Sequence, residues 1–112
     1  MQINSAGKVL RTFANIAASS TDSSLVAAVS GKKIRVHGAV LQCGGTATTS
    51  TFNSKPSGSG VAISMLFANG ANGGAVLPTS ELGWFDTVEG EGLTVTTGAG
   101  STTGIQLIYS VV

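Results

Sequence analysis

The sequence predicts an all-β fold, a two-sheet antiparallel sandwich of jelly-roll type with about eight strands. Apolar residues alternate with period two in the clearest segments, which sets one face of each against a core. Turn-forming clusters recur about every eight to fifteen residues, the spacing of sandwich strands. No segment carries a convincing helical stripe with caps.

Taken in order, residues 9–17 form a first, weak strand candidate, and residues 25–29 a second. The stretch 23–29 (SSLVAAV) after Asp22 is also the best helical challenger, with Asp22 as N-cap, but it is short and runs into Ser30-Gly31. Residues 33–43 read as one long strand whose apolar set changes face near Gly38. A glycine at such a phase change marks a bulge, because one extra residue restores the inward register at low steric cost. A weaker candidate covers 46–52. The strongest alternation is at 61–67, where Val61, Ile63, Met65 and Phe67 interleave with Ala62, Ser64 and Leu66. Short candidates follow at 74–77 and 82–87, then Leu93 and Val95 against Thr94 and Thr96. The closing strand sets Ile105, Leu107, Tyr109 and Val111 on one face; Ile108 and Val112 on the other predict burial on both sides.

With 112 residues the chain makes one domain. The organisation expected is a sandwich over 9–112, preceded by residues 1–8 as either a frayed terminus, the default, or an arm that orders on docking. Charged residues are 10% of the chain, against about a quarter in ordinary domains, so the surface is hydroxyl, Gly and Ala or is covered by a partner. A net charge of +1 gives little protection against association. Lys32, Lys33 and Arg35 are the only basic cluster, which is too little footprint for nucleic acid. Cys43 is the only cysteine, so an intrachain disulfide is impossible and a reducing site of folding is expected. Arg11, Thr12 and Asn15 interrupt the apolar stretch at 9–18, which therefore reads as mature structure and not as a signal peptide. No apolar run has membrane-spanning length.

Chemistry is hard to assemble from these residues. His37 and Cys43, on one predicted strand, lie about 20 Å apart by strand rise, beyond the reach of a nucleophile and its base. They read as a partly exposed strand residue and a small hydrophobe. Metal ligation needs three or four donors, and the acids Glu81, Asp86, Glu89 and Glu91 are remote in sequence from that pair. Those acids read as a solvated loop edge. The Gly-rich runs at 68–74 and 97–104 lack the following helix and lysine of a phosphate cradle, and read as hairpin connections. No catalytic residue, cofactor or metal site is expected, and the chain is read as not an enzyme.

Two features point instead to contacts. Lys32-Lys33-x-Arg35 is either a solvated strand start or a contact for an acidic partner. Trp84 and Phe85 adjoin; on a strand they point to opposite faces, one filling the core and the other serving as an interface anchor, unless both are buried at a corner.

Three segments together resemble small virion proteins of tailed bacteriophages: Val29-Ser-Gly-Lys-Lys-Ile-Arg-Val36, then Leu82-Gly-Trp-Phe-Asp-Thr-Val-Glu-Gly-Glu91 leading into Leu93-Thr-Val95, and the closing Leu107-Ile-Tyr-Ser-Val-Val112. The resemblance spans about residues 25–112 and implies a capsid decoration (cement) protein, or a related head or tail appendage. Such a protein is commonly a homotrimer bound to the major capsid protein on the virion surface and made in the bacterial cytoplasm, with no nucleic-acid or membrane partner. Under that reading Lys32, Lys33, Arg35, Trp84, Phe85 and Tyr109 are the candidate subunit or capsid interface, and an arm of residues 1–8 would contact the capsid. The competing expectation is a receptor- or carbohydrate-binding module of a tail fibre or head spike.

Overall fold

In the computed structural model, which describes residues 9–112, ten strands form two antiparallel sheets. They are β1 (Val9–Ile16), β2 (Ser23–Val26), β3 (Ile34–Cys43), β4 (Thr48–Lys55), β5 (Val61–Ala62), β6 (Phe67–Asn69), β7 (Gly74–Leu77), β8 (Phe85–Asp86), β9 (Gly92–Thr97) and β10 (Thr103–Val111). The expected arm, residues 1–8, lies outside the described residues.

The first sheet runs β1-β10-β3, and its fourth position is shared by β7, beside Ala39 to Gln42, and β8, beside Arg35 and Val36. The second runs β2-β9-β4, with its fourth position shared by β6 and β5. Ten strands thus fill eight positions, in the order of a jelly roll. This order corrects one expectation. The Gly-rich segments after β6 and β9 are not hairpins, because each carries the chain from the second sheet to the first. Their glycines serve close approach instead: at Gly100, with φ of 138°, a Cβ would lie 2.3 Å from the Ala47 carbonyl oxygen.

Small and branched side chains fill the interior, as the composition requires. Ile34, Val36, Leu41, Leu93, Val95 and Leu107 are fully buried around Phe52, which meets Phe67 edge-on at 6.0 Å and Phe85 at 5.1 Å. The last strand, apolar on both faces, is central in its sheet, between β1 and β3.

The phase change near Gly38 is a bulge. Ile108 opposes Gly38 while Tyr109 opposes Val36, so His37 is the extra residue. Inward positions are therefore Ile34 and Val36 before it, and Ala39, Leu41 and Cys43 after it. A Cβ on Gly38 would sit 3.1 Å from the Leu77 carbonyl oxygen, so the glycine also lets the segment after β7 pass close over the sheet. Residues 23–26, where helix competed with strand, are the strand β2.

The strongest alternation in the sequence does not make one strand. β4 pairs Asn53 with Ala62 but Ser50 with Phe67, so Thr51 and Phe52 stand against the four residues between those pairs. Two extra residues break the run into β5 and β6. The Phe52 N–H bonds to the Ser64 hydroxyl at 2.9 Å within the break. Consequently Phe67 enters the core while Val61 and Met65, expected on the same inward face, are exposed.

Candidate interaction surfaces

The residues with the best chemistry for a site are used structurally. His37, read from sequence as partly exposed, is buried. The correction has a physical cause. Residues 78–84 fold across the outer side of the first sheet, where the Ser80 N–H bonds to the His37 carbonyl and the Trp84 N–H to that of Val36. The His37 ring spans Ser80 O and Ser110 Oγ, each 2.8 Å away. A carbonyl only accepts, so Nδ1 carries the proton; in the neutral ring Nε2 then accepts from the Ser110 hydroxyl. Cys43 is buried on the inward face with Sγ 3.0 Å from the Gly70 carbonyl oxygen.

The acids are dispersed. Asp86 takes the Arg35 guanidinium through two bonds, of 2.9 and 3.1 Å. The hydrogen bond that Arg35 donates to Asp86 raises the Arg35 pKa above its ordinary value, opposed by desolvation and aided by the charge of the carboxylate. Both side chains are about a third exposed, so the pair adds at most about 1 kcal/mol. Glu91 accepts from Ser54 Oγ at 2.6 Å, and Glu81 and Glu89 are exposed. Among the described residues no three His, Cys, Asp or Glu side chains gather as a metal site.

The candidate interface residues divide. Lys32 and Lys33 are exposed, on a loop whose backbone bonds to Val112 and to the turn at Gly90. Arg35 is committed to Asp86. Phe85 turns inward onto Phe52, and Tyr109 packs half-buried against the core. Trp84, next to Phe85, faces outward and is 47% exposed, with its indole N–H bonded to the Pro78 carbonyl at 2.7 Å. The opposite-face reading of Trp84 and Phe85 therefore describes what the structure has.

The larger exposed apolar surfaces lie elsewhere. Across the outer face of the first sheet the register sets Phe13, Gln106, Val40 and Val76 in one row. Phe13 is 74% exposed and Val76 66%. Arg11 is the only charged residue of β1 and lies beside this row. The corresponding face of the second sheet is polar: Thr51 opposes Thr96, and Thr94 stands between Ser24 and Asn53. There the Asp22 carboxylate accepts from Asn53 Nδ2 (3.1 Å), Thr94 Oγ1 (3.2 Å) and the Gly60 N–H (3.0 Å). One face is tied up in its own hydrogen bonds; the other presents Phe13, Val40 and Val76 among the amides of Asn15, Gln42 and Gln106.

A second apolar surface opens on the flank where the split strands of the two sheets meet. Ile63, Met65 and Phe67 from one sheet and Leu77, Trp84 and Phe85 from the other line a groove of about 370 Å³. Met65 is 69% exposed at its rim. Sequence reasoning missed Phe13 and Met65. For Phe13 the usable signal was its place opposite Ala14 and Ile16 in the β1 alternation; for Met65 there was none, because the alternation pointed inward.

No protein-family model, curated protein or solved structure matches the chain.

Proposed function

We propose that this chain is a structural virion protein, a homotrimer that decorates the assembled head of a tailed bacteriophage by binding its major capsid protein. The observation that carries an assembly role is the outer face of the first sheet, where Phe13, Val40 and Val76 are exposed in one row, broken only by Gln106, with Arg11 as the charge beside it. Water-exposed rows of this kind mark contact surfaces more often than ordinary solvent faces. The sequence likeness contributes the phage setting, the head partner and the trimer. The role is binding, without a catalytic step or cofactor, and its place is the surface of the virion.

The physical task of such a protein is linkage. A ligand that binds only the assembled lattice stabilises that lattice, by about 2.7 kcal/mol per site at one hundred times the dissociation constant. Cosedimentation with assembled phage heads checks this: the protein is expected to pellet with heads to a fixed stoichiometry, and not with unassembled capsid subunits. Absence of head binding together with binding to host-surface glycans would replace this reading with that of a receptor-binding module.

A further inference from the structure

Two of the exposed apolar features, one projecting and one recessed, lie on adjacent sides of the sandwich. Phe13 stands out from the outer face of the first sheet near its β1 edge, and the groove of Ile63, Met65, Phe67, Leu77 and Trp84 opens on the flank at the other end of both sheets. Resting on the trimer reading above, we propose that the groove receives Phe13 of a second copy of this chain, so that subunits join head to tail.

Charge supports the pairing. Arg11 is exposed beside Phe13, on the same face of β1. Glu81 is exposed next to Leu82, which is 85% exposed, in the loop that carries Trp84 to the groove. Seating Phe13 therefore brings Arg11, which has no acidic partner among the described residues, toward the loop that bears Glu81.

The sheet edges point the same way. Natural sheets blunt exposed edges by shortening, breaking or bulging them. β2 has four residues and a register shift, and the β5/β6 and β7/β8 edges are each broken in two. β1 is an edge of eight residues paired without interruption to β10. Among the described residues no strand pairs with its outer side, and a neighbouring copy seated on Phe13 would lie beside it. A contact between two different surfaces is heterologous, and it generates a closed ring when the rotation between copies closes. Surfaces on adjacent sides of the body turn each copy relative to the last, which favours a small ring such as a trimer over a straight filament.

Cross-linking tests the pairing directly. In a Cys43→Ser background, the double variant Asn15→Cys/Leu66→Cys, at exposed positions that flank the contact and leave Phe13 and Met65 in place, is expected to give covalent species up to three chains with a short bismaleimide, while either single variant stays at one chain. Both positions are on the surface, so the variants fold. A dimer from Asn15→Cys alone would overturn the proposal in favour of a two-fold contact, and no cross-link in the double variant would overturn it outright. Head binding is measured separately: a protein that pellets with heads but fails to cross-link loses only this inference, and one that cross-links as a ring but ignores heads loses only the decoration role.

Discussion

Phe52→Ala is expected to lower the free energy of unfolding by about 3–5 kcal/mol, a large share of the roughly 5–15 kcal/mol of a typical domain. Phe52 is wholly buried on β4 and touches an aromatic ring from each side, Phe67 on β6 and Phe85 on β8. Those two short strands occupy the split fourth positions of opposite sheets, so this one ring ties together the parts of the sandwich with the fewest backbone bonds. Apart from Tyr109 the rest of the core is Leu, Ile, Val and Ala, too small to fill the space that the ring would leave. Chemical denaturation checks the free energy, and a fall in melting temperature of about 15 °C is the matching thermal result. A loss below about 1 kcal/mol would mean that the aromatic cluster is not what joins the two sheets.

Gly74→Ala is expected to cost about 3 kcal/mol, an effect out of proportion to a methyl group. Gly74 begins β7 opposite Gln42, and a Cβ there would lie 1.8 Å from the Leu41 carbonyl oxygen and 2.9 Å from the Gln42 Cα. The obstacle is the backbone of β3, a central strand held by β10 on its other side, so it cannot yield as a side chain would. The N-terminal end of β7 must lift away, and Ala75 and Leu77 lose their packing against the core. Gly45→Ala is the control. Nothing lies within 4 Å of a Cβ at Gly45, and the expected change is within about 0.5 kcal/mol. Equal melting temperatures for the two variants would contradict the close approach of β7 to β3.

Both predictions concern glycine and aromatic positions whose role depends on long-range pairing, and this is where sequence reading reached its limit. The bulge at Gly38 was legible because a change of phase within period two is visible in a single strand. The burial of His37 was not, since the covering Ser80 lies 43 positions away and nothing in the local pattern places residues 78–84 over the sheet. The alternation at 61–67 was misleading for a related reason. Period two records which residues share a face of an extended chain, but a pairing shift against β4 decides whether that face stays extended, and that shift is a property of two strands.

The candidate surface was legible in part. Trp84 stood out because two large aromatics adjoin in a chain poor in them, and one of them had to face outward. Phe85 and Tyr109 looked equally suited to contact, but side chains of this size are also what a core of Val, Leu and Ala lacks, and the structure uses them to fill it. Phe13 was not singled out because Val9 and Leu10 make β1 apolar on both parities, and its pairing with β10 is what shows that the even-numbered residues face inward. The jelly-roll order that makes β1 an edge is carried by no segment alone.

The molar mass of the purified full chain in solution, measured by light scattering across a dilution series, tests the assembly account most directly. Three chain masses are expected at high concentration, with Phe13→Glu shifting the protein to one chain mass while its far-ultraviolet circular dichroism stays that of a β-sandwich. A wild-type chain that stays at one chain mass throughout would contradict it, since the apolar surfaces around Phe13 and Met65 would then be left to water.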